Sequence, residues 1–208
     1  MFDAAKQSML QDQLQGRGIR SSQVLSVMAR VPREEYVEAD ERAAAYADSA
    51  LPIACMQTIS QPYIVALMTE ALNVSRADRV LEVGTGSGYQ TAVLAELAGE
   101  VFSIERHAEL SRQAGGRLAA AGYKNVRLRV GDGALGWPES APFDRIIITA
   151  AAERCPPPLW EQLAEGGILI GPFGSTGEQI LYAVHKIAGQ QQSRPLTSCR
   201  FVPLVSSD

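Results

Sequence analysis

Cysteine is scarce in this chain: Cys55, Cys155 and Cys199 are the only three in 208 residues, far apart and in no C-x-x-C pattern. A disulfide framework needs paired cysteines, and structural zinc sites need clustered ones, so both are excluded as organising features. Histidine is scarcer still, with only His107 and His185, and no metal site is expected. Long apolar runs are missing too. Nothing approaches the roughly 20 residues that cross a bilayer, and the N-terminal Met-Phe-Asp-Ala-Ala-Lys lacks the apolar stretch of a signal peptide. The expectation is a cytoplasmic protein with no membrane partner. There is no excess of positive charge. Lys and Arg number 19 against 23 Asp and Glu, giving a net charge of −4, and the basic residues are scattered. A broad phosphate-binding surface is therefore not expected, nor nucleic acid as a partner.

What remains is ordinary globular composition, 46% apolar and 20% charged, in enough chain for one sizeable core. Residues 1–208 are expected to form one domain, with 1–75 a mainly helical extension and 76–208 an α/β core ending in strands. Met9, Leu10 and Leu14 recur at helical spacing before Gly16 and Gly18. Ser21 or Ser22 can cap a second helix that carries Val24, Leu25 and Met28 as far as Pro32. Residues 50–62 read as turn-rich and irregular. A third helix then opens at Pro62, with Ile64, Val65, Leu67, Met68 and Leu72 on its apolar face.

Beyond Asp78 strands and helices alternate. Strands are expected at 79–83, 101–105, 126–130, 145–149, 168–172, 180–187 and 199–204, with helices at 90–98, 108–121 and 159–163. Residues 189–194 read as a polar connection and Asp144 as a turn residue. Such β-α units imply an α/β fold with a Rossmann-like, mostly parallel sheet and helices on both faces.

The most informative stretch is Gly84-Thr85-Gly86-Ser87-Gly88, which joins the first of those strands to its helix. Absent side chains let a ligand approach the backbone at the sheet end where open α/β folds bind ligands. A phosphate loop would continue with Lys-Ser/Thr, but Tyr89-Gln90 follows. A dinucleotide fingerprint would need a third glycine at Tyr89. The G-x-G-x-G spacing resembles the first motif of class I methyltransferases, which bind S-adenosylmethionine. Glu105, ending the next strand, can accept hydrogen bonds from two ribose hydroxyls. Asp132, in Gly131-Asp132-Gly133 at the third strand end, can accept from an adenine amino group.

The segment Gln57-Thr58-Ile59-Ser60-Gln61-Pro62 narrows the reading. With Val31-Pro32-Arg33-Glu34, Gly136-Trp137-Pro138, Thr149-Ala150-Ala151-Ala152 and Arg200-Phe201-Val202-Pro203-Leu204, it closely resembles the protein-L-isoaspartate O-methyltransferase family over nearly the whole chain. The resemblance implies S-adenosylmethionine as methyl donor, S-adenosylhomocysteine as product, and isoaspartyl-containing peptides and damaged proteins as substrate. The ester formed can cyclise to a succinimide and partly reopen to aspartate, a repair role. The family likeness makes Ser60 the active-site serine and sets Thr58, Ile59, Gly84, Thr85, Gly86, Ser87, Gly88, Glu105, Asp132 and Gly133 around the cofactor. It sets Ile53, Ala54, Val202 and Pro203 beside the peptide, and a monomer is expected. Ala54 departs from the glycine that members commonly carry there. Read without the likeness, Ser60 caps the helix at Pro62. A different carboxylate or small-molecule acceptor, or a non-catalytic S-adenosylmethionine-binding module, remain the rival readings.

Overall fold

In the computed structural model, which describes residues 2–175 and 177–206, the chain opens on helices as its periodicity predicts. Helix α1 (Asp3–Ser8) runs on through the wider π-helical stretch Met9–Gln15, which buries Met9 and Leu14. Helix α2 (Ser22–Arg30) starts where Ser21 accepts from the Val24 N–H at 3.3 Å, which satisfies one of the free donors of a helix end.

Residues 50–62 are not irregular. Strand β1 (Leu51–Ile53) pairs antiparallel with β2 (Gln57–Ile59). Each is three residues long, too short for a period-2 pattern to stand out. The turn between them sets Cys55 and Met56 in the left-handed region, at φ 57° and 55°, a conformation no glycine announced. Helix α3 (Pro62–Leu72) follows directly, with proline in its first turn.

The remaining elements are β3 (Arg79–Val83), α4 (Tyr89–Ala95), β4 (Glu100–Glu105), α5 (Ala108–Ala120), β5 (Val126–Val130), β6 (Phe143–Ile148), α6 (Pro157–Gln162), β7 (Leu163–Ser175), β8 (Glu178–Ile187) and β9 (Gln190–Cys199). The sheet runs β5-β4-β3-β6-β7-β8-β9. Its first five strands are parallel, and β8 and β9 add antiparallel at one edge.

Three expectations are corrected here. Residues 190–194 belong to β9, not to a connection; as an edge strand it takes polar side chains and gains its order from hydrogen bonds to β8. The strand expected at 199–204 ends at Cys199. Beyond it the Val202 carbonyl and the Leu204 N–H bond to Ala151, and Pro203 makes an isolated bridge. Asp144 lies inside β6, where its carboxylate accepts from the Arg79 N–H at 2.8 Å.

Alternate residues of each central strand feed two cores. Val80 and Ile147 join the core under the Met9–Gln15 stretch and α2 to α5; Leu81, Val83, Ile146 and Ile148 join the one that α6 and Trp137 cover. Burial on both faces explains the unbroken β-branched runs. Strand order reverses at β3, flanked by β4 and β6, and such a reversal opens a crevice at the carboxyl ends of the strands.

Candidate active site

That crevice is a cleft bounded by the β3–α4 turn, the β1–β2 hairpin and the 202–205 segment. Its floor is the turn between β3 and α4. Gly84 has φ +97°, and a Cβ there would stand 2.2 Å from Thr149 Oγ1. Thr149, at the end of β6, donates to the Val83 and Gly84 carbonyls at 3.0 and 2.8 Å and so clamps the turn from the neighbouring strand. Gly133 is kept bare by packing: its Cβ would lie 2.4 Å from Val83 Cγ1.

Glu105 is buried at the end of β4. Its two oxygens accept from the Gly86 and His107 N–H groups, each at 2.9 Å. A carboxylate offers about four acceptor positions, so these bonds orient the group without exhausting it. Asp132 caps the short turn Gly133–Leu135 by accepting from the Ala134 N–H at 2.8 Å.

Beneath the turn lies a buried polar chain. Thr85 and Ser103 hydroxyls stand 2.6 Å apart, and Ser103 and Thr91 each donate to Glu82 Oε2 at 2.5 Å. Glu82 Oε1 has no partner among the described residues, and burial pushes this carboxyl up to about 8. In the unfolded chain it titrates near 4.3. Between those values the folded form binds more protons, so the stability it contributes is present below about 4 and lost as pH rises through 8. Glu82→Gln can keep both hydroxyl bonds through its amide oxygen. In urea unfolding it is expected to exceed the parent chain in stability at pH 9 and to match it closely at pH 5. Parallel curves for the two proteins across that range would contradict this.

Over the cleft lies the β1–β2 hairpin. Gln57, Thr58 and Ile59 line the cleft. The hairpin tip reaches α5, where Cys55 Sγ stands 3.8 Å from Glu109 Oε2. A second cleft opens on the other side of Ser60, lined by Arg17, Asp48, Gln61, Tyr63, Thr197 and Arg200 among others. Thr58, Ser60, Thr149 and Val202 line both clefts. The far wall is braced by a cluster: Arg17 pairs with Asp48 at 3.2 Å and stacks 3.6 Å from the Tyr63 ring, while Gln61 donates to Asp48 Oδ1 at 2.7 Å.

Ser60 does not cap α3. Gln61 holds the N-cap position, and no side chain caps that end. The Ser60 hydroxyl makes no hydrogen bond within the described residues, so it is available to the clefts.

The residues singled out from sequence therefore divide. Thr58, Ile59, Gly84, Thr85, Gly86, Ser87, Glu105, Gly133, Val202 and Pro203 converge on the first cleft with Ser60. Gly88 is set back at the start of α4, where a Cβ would lie 3.1 Å from Ala114 Cβ. Ile53, Ala54 and Asp132 line neither cleft; Ile53 packs towards Gly86, Ala54 sits in the hairpin turn, and Asp132 caps Gly133–Leu135 beside the first cleft. Strand-like pairing of a peptide along 202–204 is also limited, because the Val202 carbonyl and Leu204 N–H already bond to Ala151 at 2.7 and 2.6 Å.

Several lining residues escaped the sequence reading. Gln57, Tyr89 and Arg106 border the first cleft, and Arg33 grips the Ser60 backbone from behind. The proximity of Gln57 and Tyr89 to recognised motifs was the available signal. Arg33 carried none beyond its place in Val31-Pro32-Arg33-Glu34.

The family model described as protein-L-isoaspartate(D-aspartate) O-methyltransferase matches residues 4–208. The protein-L-isoaspartate O-methyltransferase of Koribacter versatilis is 52% identical over 206 residues, 99% of this chain and 93% of its own. That of Dictyoglomus turgidum is 51% identical over 207 residues, covering 98% and 94%. A Plasmodium falciparum beta-aspartate methyltransferase structure in complex with S-adenosyl-L-homocysteine superposes with a TM-score of 0.84 at 27% identity, over 96% of this chain and 98% of that one.

Proposed function

This chain belongs to the protein-L-isoaspartate(D-aspartate) O-methyltransferase family, and from that premise we propose how its two clefts divide the work. The activity is transfer of a methyl group from S-adenosylmethionine to the free carboxylate of L-isoaspartyl residues, a protein repair reaction. The observation that carries the division of labour is Ser60, whose unengaged hydroxyl stands where donor and acceptor clefts meet.

The residues of the first cleft fit S-adenosylmethionine. Glu105 is an acceptor-only group suited to a ribose diol and hostile to a phosphate, and the bare glycine turn leaves room for a ligand against the backbone. Thr58 and Ile59 cover it from the hairpin, and Gly133 flanks it. Bound there, S-adenosylmethionine supplies a sulfonium-activated methyl group.

The acceptor carboxylate titrates near 4 and is ionised at neutral pH, so no residue has to act as general base. What the chain must do is orient. Ser60 Oγ donates to the acceptor carboxylate. The first turn of α3, with Gln61, Tyr63 and Ile64 on the second cleft, offers the positive end of a helix to that anion. The hairpin and the 202–205 segment cover the meeting point and limit water, which favours neutralisation of opposite charges. Val202 and Pro203 border the path of the peptide.

Glu105→Gln tests the cofactor assignment. It replaces half of the acceptor capacity by an amide donor, so S-adenosylhomocysteine is expected to bind about 10-fold more weakly in calorimetric titration. Unchanged affinity would remove Glu105 from the site. No helix among the described residues is long and apolar enough to cross a membrane. We propose that the protein acts in the cytoplasm, as a monomer, on damaged proteins.

A further inference from the structure

Arg33 is completely buried. A buried charge is costly unless fixed partners offset the lost hydration. No carboxylate among the described residues pairs with it. Its Nε donates to the Ala45 carbonyl and its Nη2 to the Ser60 carbonyl, each at 2.7 Å. Nη1 has no hydrogen-bond partner among the described residues. The guanidinium lies 4.8 Å from the centroid of the Tyr89 ring, and Tyr89 borders the donor cleft as the first residue of α4. Burial lowers its pKa to about 10, which leaves it charged at neutral pH.

One side chain thus touches both halves of the site from behind. It holds the backbone that carries the Ser60 hydroxyl, and it packs on the helix that follows the glycine turn. An apolar residue of similar volume often serves a core better than a buried charge does. Packing alone therefore gives no reason for a guanidinium at this point.

We infer that Arg33 is a positioning residue for methyl transfer, fixing the Ser60–Gln61 peptide relative to the glycine turn. The peptide unit is planar, so holding the Ser60 carbonyl sets the plane that continues into the first turn of α3. It also sets the direction from which the Ser60 side chain enters the meeting point of the clefts. This inference rests on the role given to Ser60 above.

Two variants test it, each compared with the parent chain. Arg33→Lys keeps the charge but cannot reach both carbonyls with a rigid fork; Arg33→Gln keeps one donor and loses the charge. In the Lys variant, kcat for an isoaspartyl peptide is expected to fall about 10-fold, because a misplacement on the order of 1 Å can cost up to about 100-fold. The Kd for S-adenosylhomocysteine should stay within about threefold, and Arg33→Gln should lose more of kcat than Arg33→Lys. A residue that only supports the fold would lower the melting temperature and leave kcat per folded molecule unchanged. That result would overturn the inference, as would failure of both variants to unfold cooperatively, or equal losses in kcat and cofactor affinity. Ser60→Ala, assayed alongside, separates the two levels. If it is slow while Arg33→Lys is not, only this inference fails; if it is as fast as the parent chain, the reading beneath it fails as well.

Discussion

Replacing Ser60 by alanine is expected to slow methyl transfer to an isoaspartyl peptide about 10- to 100-fold while leaving thermal unfolding nearly unchanged. The size follows from one hydrogen bond to an ionised group, worth about 1.5–3 kcal/mol, at about 1.4 kcal/mol per factor of ten in rate. The stability half follows from the structure. Ser60 is half-buried, its hydroxyl bonds to nothing among the described residues, and its carbonyl, which Arg33 holds, survives the substitution. No cap is lost, because Gln61 occupies the N-cap of α3. Steady-state kinetics and calorimetric melting on the same preparations check both halves. Equal damage to rate and melting temperature would return Ser60 to a structural role.

Gly84→Ala is expected to do the opposite and damage fold and cofactor binding together. A Cβ would meet Thr149 Oγ1 at 2.2 Å, and φ is +97°. Thr149 cannot swing away freely, since its hydroxyl is tied to the Val83 and Gly84 carbonyls. Left-handed backbone costs an ordinary residue about 1–2 kcal/mol, and overpacking adds about 1–3 kcal/mol. At about 2–4 °C per kcal/mol for a domain of this size, the melting temperature should fall by roughly 5–15 °C. S-adenosylhomocysteine affinity should fall with it, because the displaced turn is the cleft floor. Gly122→Ala supplies the control: φ there is +83°, yet nothing lies within 4 Å of the added methyl. That variant should show only the smaller backbone cost and bind the ligand normally. If Gly84→Ala bound as tightly as the parent chain, the cleft floor would be wrongly assigned.

The sheet was legible because its signal is long-range composition. The run Ile146-Ile147-Ile148 at the end of β6 is buried on both faces, as a central parallel strand requires. The glycine turn was legible because each bare position answers a steric demand, as Gly84 does beside Thr149 and Gly133 beside Val83. Elements whose order comes from partners were not legible. β9 is polar along its first residues and exists because β8 offers a ladder. The β1–β2 hairpin turns through Cys55 and Met56, neither of which signals a left-handed backbone. Val202–Leu204 reads as a strand in isolation, but the sheet edge has already passed to β9 and the segment docks on Ala151 instead.

The candidate site divides along the same line. Ser60, Glu105 and the glycine turn announce themselves by motif. The meeting of two clefts at Thr58, Ser60, Thr149 and Val202 brings together a hairpin, a helix entry, a strand end and the C-terminal segment, and only the fold supplies that. Arg33 is the extreme case. It lies 27 residues from the carbonyl it holds, and a lone arginine in a helical extension looks like a solvated charge until its burial is known.

The most direct test of the account is methyl transfer from labelled S-adenosylmethionine to a matched pair of short peptides, identical except that one carries isoaspartate and the other aspartate. Ester formation on the isoaspartyl peptide, with little or none on its partner, is the predicted result. Equal labelling of both, or labelling of neither by a protein that still binds S-adenosylhomocysteine, would contradict it.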